Sequence, residues 1–278
     1  MLKKFILGSM ATLVLAACGQ QAGSNTASST ASSPAASATA GPLLESINNK
    51  GTITVGTEGT YAPFTYHDQS GKLTGYDVEV TRAVAQKLGV QVDFKETQWD
   101  AMLAGLKAGR FDTVANQVSL TTPERRAVFD KSADYSYSGP MMLVRQDETR
   151  LKDLASIKGV KTAQTLSSNY GEMAVKAGAE VVPVDGMAQA LILVQQKRAD
   201  LTLNDSLAFL DYLKKSPNSG LKVAWRAGED EKIGAGFIVN KGNDEALAKI
   251  SEAVETLRAD GTLKKLGEQF FDEDVSVK

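Results

Sequence analysis

The chain has 278 residues, 42% hydrophobic, 6% aromatic and 23% charged, with 24 Gly and 7 Pro, which excludes collagen, coiled coil and wholesale disorder. Lys and Arg total 31 against 33 Asp and Glu, a formal net charge of -2, so no polyanion-binding surface is expected and nucleic acid is not a partner. One Cys and one His exclude a disulfide framework, a Cys/His zinc site and a Cys–His dyad. Function then falls to carboxylates, Arg and Lys, hydroxyls, amides and aromatics, with no metal and no cofactor expected.

Residues 1–18 read as an export signal: Lys3 and Lys4 precede an apolar run, Phe5 to Ala16, too short to span a bilayer permanently. The run ends in Leu15-Ala16-Ala17-Cys18, which resembles the bacterial lipobox, where the Cys thiol receives a diacylglycerol and becomes the mature N-terminus. The alternative is an ordinary secretory signal with an incidental Cys. From Gly19 to Pro42 the chain is nearly all Ser, Ala, Thr, Gly and Gln; without periodic apolar residues it cannot offset its ordering entropy and is expected to be a flexible tether.

The remaining 236 or so residues suit one large domain or two small lobes. Gly51 to Gly56 reads as a strand and Asp77 to Leu88 as a helix, with acidic residues in its first turn, Val80, Val84 and Leu88 on one face, and Gly89 as a stop. A strand at Val90 to Phe94, a helix carrying Trp99, Met102, Leu103 and Leu106, and a strand at Phe111 to Ala115 follow. Repeated β-α-β implies a mostly parallel sheet. A second α/β series opens at Met141 to Val144 and continues through a strand at Val181 to Val184, a helical stripe at Met187, Ala190, Leu191 and Val194, and a strand at Leu201 to Leu203. Gly234 to Val239 is one extended run, Leu247, Ile250, Val254 and Leu257 share a helix face ending at Gly261, and a short helix runs to Phe270.

Gly75-Tyr76-Asp77-Val78-Glu79-Val80, followed by Val84, Ala85 and Leu88, matches the signature of the bacterial extracellular solute-binding proteins of polar amino-acid ABC transporters. Gly56 to Phe64, Trp99-Asp100, Thr122-Pro123-Glu124-Arg125, Leu203-Asn204-Asp205 and Asp260 to Leu263 match in the same order. The chain after Pro42 therefore resembles this family throughout, and Asn116-Gln117-Val118 and Ser168-Asn169-Tyr170 are most similar to its cystine-binding members. The resemblance implies an α/β, two-lobed periplasmic-binding-protein fold of type II: two mixed sheets with flanking helices, joined by two crossover strands. Lobe 1 would comprise residues 43–139 and 234–278, lobe 2 residues 140–233, with the ligand in the cleft.

A free amino acid presents a carboxylate beside an ammonium, so its site needs a fixed cation, a fixed anion and neutral donors. Arg125 is the expected carboxylate clamp, a planar fork that stays charged; otherwise it is a surface Arg. Asp205, at the C-terminal end of a strand where open sheets bind ligands, is expected at the ammonium, caps the helix starting near Ser206, or does both. Glu58 also follows a strand and either meets the ammonium or the ligand side chain, or is a solvated turn carboxylate. Tyr61 and Trp99 are expected to stack on the ligand, although Trp99 also fits its helix's core stripe.

Asn116, Gln117, Ser119 and Thr121 are expected carboxylate donors, with one residue more than the family pattern before Arg125 leaving the register of Ser119 and Thr121 open. Thr165, Ser168 and Asn169 occupy a loop leading into a helix whose free N–H groups bind anions. His67 is expected in an exposed turn, without a catalytic role. The resemblance implies a non-enzymatic, monomeric, lipid-anchored lipoprotein of the cell envelope that closes on an amino acid, with cystine favoured, and delivers it to an ABC permease in the inner membrane. The competing readings are a dehydratase of the same fold, with Glu58 or His67 as acid or base, and an amino-acid sensor.

Overall fold

The computed structural model describes residues 42–278. The export signal, Cys18 and all of the tether before Pro42 lie outside the described residues. The expected tether ends differently: Pro42 is already helical, opening α1 (Pro42–Lys50), where a missing N–H is harmless, and Ile47 of this helix joins the core.

The first lobe begins with β1 (Thr52–Thr57), then a small sheet of β2 (Thr60–Tyr61), β3 (Thr65–His67) and β4 (Leu73–Thr74), and α2 (Tyr76–Leu88). β5 (Gln91–Glu96), α3 (Trp99–Lys107), β6 (Thr113–Val114), α4 (Pro123–Val128), β7 (Phe129–Lys131) and β8 (Ser136–Ser138) follow. The second lobe holds β9 (Pro140–Arg145), β10 (Lys161–Gln164), α5 (Asn169–Lys176), β11 (Glu180–Pro183), α6 (Met187–Gln195), β12 (Leu201–Asp205), α7 (Ser206–Lys215) and β13 (Leu221–Arg226). The chain returns through β14 (Ile233–Ala235) to β15 (Ile238–Asn240), α8 (Asp244–Ala259) and α9 (Thr262–Phe271).

Each lobe is built on one five-stranded mixed sheet, in the orders β5-β1-β6-β15-β7 and β11-β10-β12-β9-β13. Parallel pairing joins β1 to β5 and β6, and β10 to β11 and β12. β15 runs antiparallel to both its neighbours, and so does β9. Periodicity alone suggests a mostly parallel sheet; the two antiparallel strands are those that enter each sheet directly from a crossover, without an intervening helix. The crossovers themselves pair, β14 against β8, with Gly234 opposite Tyr137.

The extended run expected from Gly234 to Val239 is two strands, broken where Phe237 turns into the core and its N–H donates to Ser132 Oγ at 2.9 Å. His67 ends β3 instead of sitting in a turn; it is exposed and 3.0 Å from Glu96. α2 starts where only glycine fits, because Gly75 has φ 123° and a Cβ there would lie 2.3 Å from the Phe64 carbonyl oxygen. It stops at Gly89, left-handed at φ 74°, whose N–H turns back to the last carbonyls. Between them Val80, Val84 and Ala85 pack with Val55, Phe237 and Val254 in the main core of the first lobe.

Candidate functional site

A cavity lies between the lobes, lined by Glu58, Tyr61, Trp99, Asn116 and Gln117 of the first and by Gln164, Thr165, Ser168, Asn169, Tyr170 and Asn204, among others, of the second. Several polar wall residues sit at or near the C-terminal end of a parallel strand: Glu58 after β1, Asn116 after β6, Thr165 after β10, Asn204 near the end of β12. That is where strand ends splay and helix N-termini converge. α5 begins here, with the Ser168 hydroxyl accepting the Gly171 N–H at 3.0 Å, and α6 begins at Gly186 without a side-chain cap.

The first-lobe wall is a hydrogen-bonded unit. Asn116 accepts the Glu58 N–H at 2.9 Å and donates to Glu58 Oε2 at 2.6 Å, fixing that carboxylate. Gln117 is left-handed at φ 50°, a conformation that costs a non-glycine residue about 1 kcal/mol or more. Asp77 holds it there, accepting the Gln117 N–H at 2.6 Å and side-chain amide at 2.7 Å, while Gln117 Oε1 accepts Ser136 of the crossover at 3.0 Å.

The lobes are closed on one another. The Tyr61 hydroxyl donates to Asn204 Oδ1 at 2.7 Å, and Asp100 accepts the N–H groups of Leu166 and Ser167 at 3.1 and 2.8 Å and the Ser167 hydroxyl at 2.6 Å.

Glu58, Tyr61, Trp99, Asn116, Gln117, Thr165, Ser168 and Asn169 all reach the cavity; Ser119, Thr121, Arg125 and Asp205 do not line it. Arg125 is 5% exposed, and its expected free fork is occupied: Nη1 donates to the Ser119 carbonyl at 3.1 Å and Nη2 to the Ser167 carbonyl at 2.6 Å. Its guanidinium also lies 5.7 Å from the Trp99 ring centroid. Asp205 takes the helix-cap role, accepting the Leu207 N–H at 2.8 Å, and its other oxygen accepts the hydroxyls of Ser138 and Tyr170. It stands one side chain behind the wall, with Tyr170 between. Ser119 contributes its carbonyl to Arg125, and the Thr121 hydroxyl is buried without a partner. Trp99 belongs both to the wall and to the core cluster of Met102, Leu106 and Phe111, and its indole N–H is buried and unpaired.

Sequence reasoning missed most of the second-lobe wall: Gln164, Tyr170, Met187, Asn204 and the apolar Val184 and Leu203. Asn204 and Tyr170 were within reach, as immediate neighbours of Asp205 and Asn169; Gln164 ends a strand the hydropathy pattern does not mark.

The wall is electrostatically one-sided. Its lining includes a carboxylate, Glu58, and no Lys, Arg or His. Burial pushes Glu58 up to about 7 against the opposing hydrogen bond from Asn116, with the nearby Asp100 charge adding to the rise. Burial likewise raises Asp77 to about 7, despite its bonds from Gln117 and Tyr135, and raises Asp205. Such a pocket favours a cation. Among the described residues no group of His, Cys, Asp or Glu is arranged to hold a metal ion.

The family model for bacterial extracellular solute-binding proteins, family 3, matches residues 53–273. The L-cystine-binding protein TcyA of Bacillus subtilis is 47% identical over 277 residues, covering 99% of this chain and 98% of its own. A crystal structure of the L-cystine solute receptor of Neisseria gonorrhoeae, unliganded and open, shares 70% identity over 86% of this chain and all of its own, at a TM-score of 0.59. An ancestral arginine-binding protein bound to arginine, only 34% identical over 80% of this chain and 98% of its own, superimposes better, at 0.75. The inversion of identity and shape agrees with the closed lobes seen here. The fold is the two-lobed type II periplasmic-binding-protein fold, and the chain belongs to the bacterial extracellular solute-binding proteins of family 3.

Proposed function

We propose that this protein is the substrate-binding component of an ABC importer, capturing L-cystine between lobes 43–139 plus 234–278 and 140–233 and handing it to the permease. The observation that carries the reading is the cavity between the lobes, walled by a buried carboxylate without a basic side chain. The cystine assignment draws on TcyA and the gonococcal receptor.

In this reading Glu58 receives an ammonium, and Asn116, Gln117, Thr165, Ser168 and Asn169 complete its shell and that of a carboxylate. The N-terminus of α5 supplies N–H groups and partial positive charge to that carboxylate. Arg125, bonded to the carbonyl of Ser167, adds fixed positive charge behind this end of the site. Tyr61 and Trp99 cover the apolar disulfide. Asp205 acts through Tyr170, adding negative charge behind the ammonium end. Closure replaces the hydration of both charged ends by fixed partners, so the ligand binds the closed state best and shifts the lobes toward it.

Residues 1–18 are in this proposal an export signal, Cys18 carries the lipid, and residues 19–41 are the tether up to α1, placing the monomeric binding lobes on the outer side of a membrane. A thermal-shift screen of the purified protein over the proteinogenic amino acids and cystine tests the function. Cystine is expected to raise Tm most; no shift with any amino acid contradicts it.

A further inference from the structure

Asp100 is not part of the cavity lining, yet it makes more bonds across the cleft than any lining residue for which such bonds are described. It stands in the first turn of α3 in the first lobe. Its two carboxylate oxygens take the consecutive N–H groups of Leu166 and Ser167 from the second lobe, and Oδ1 also takes the Ser167 hydroxyl at 2.6 Å. The remaining polar group of Ser167, its carbonyl, is held by Arg125. Every hydrogen-bonding group of Ser167 is thus committed to the opposite lobe, and none of these bonds passes through the cavity. The segment so gripped runs directly into Ser168 and Asn169 of the wall.

We propose that Asp100 is a positioning residue for capture: with Arg125 it forms a latch on Ser167 that stabilises the closed form and seats the start of α5, without touching the ligand. The proposal rests on the amino-acid-binding reading for its effect on affinity, but the contact itself does not. A latch adds the same stabilisation to every ligand complex, so its loss lowers all affinities by one factor and acts on dissociation rather than association.

Two measurements on the full-length protein test this. Asp100→Ala is titrated with cystine, arginine and glutamine beside the parent. All dissociation constants the parent shows are expected to rise by a common factor, roughly tenfold, with their ranking kept and dissociation accelerated; Ser167→Ala, which removes one of the three bonds, gives a smaller common rise. Unchanged affinities, or a changed ranking, overturn the latch. Independently of any ligand, the double substitution Asp100→Cys and Ser167→Cys is expected to form an interlobe disulfide on mild oxidation, and its absence overturns the latch while leaving the binding reading standing. If the parent binds no amino acid, that reading fails and the cross-link alone decides.

Discussion

Glu58 is the residue whose chemistry is most exposed to test. Its carboxyl is held near 7 by burial in the closed form, so in that form without ligand it is largely protonated below that pH, and an incoming ammonium must draw the proton off. Cystine affinity is therefore expected to rise with pH up to about 7, by at most tenfold per unit, and titrations near pH 6 in buffers of different ionisation enthalpy are expected to report proton release. Glu58→Gln should abolish both the release and most of the affinity. The sign for stability is opposite. Glu58 and Asp77 have folded values raised above ordinary carboxylates, so the stabilisation they give is present at low pH and is lost as pH rises through about 7. The Tm of the ligand-free protein is expected to fall over pH 4.5 to 7.5, and less steeply in Glu58→Gln. At this scale strand ends pointed to Glu58 and Asn116, and a helix start to Asn169, all of which line the cavity. Arg125 and Asp205 stand behind the cavity wall: residue type announces a charge, but not the backbone carbonyls or helix amides that occupy it once the lobes close.

At the scale of elements, legibility followed local pattern. α2, α3, α6 and α8 were readable because a face repeats at helical spacing between a start and a stop signal. β2, β3 and β4 are two or three residues long, too short for any alternation to register, and β10 and β13 mix polar with apolar residues because tertiary packing decides their burial. α1 was hidden by the low-complexity stretch before it. The family signature has a mechanical meaning here: Gly75 lets α2 start against the Phe64 carbonyl, and Asp77 in its first turn then reaches Gln117. Gly75→Ala is expected to cost about 2 kcal/mol or more, combining a positive φ with a clash against backbone, seen as a lower midpoint in denaturant with m unchanged. Phe237→Ala, at the buried break between β14 and β15, is expected to cost about 3 to 5 kcal/mol by the same measurement.

For the whole molecule, the two-lobed α/β class was within reach of the sequence through the alternation of strands and helices, but the antiparallel insertion of β9 and β15 was not. Those pairings join residues more than fifty positions apart, as Leu201 and Val144 or Ile238 and Val114 do, and no local spacing encodes them; the family resemblance carried that step. The proposed anchoring has its own check: Cys18→Ser is expected to move the protein from the detergent phase to the aqueous phase on phase separation, and no change would remove the lipid from the account. The claim on which the rest depends is that the closed cleft holds one zwitterionic amino acid, cystine. Calorimetric titration of the purified protein with L-cystine tests it most directly. One site per chain with micromolar or tighter affinity, about 8 kcal/mol or more, is the predicted result. An absence of binding by cystine and by every proteinogenic amino acid would contradict it.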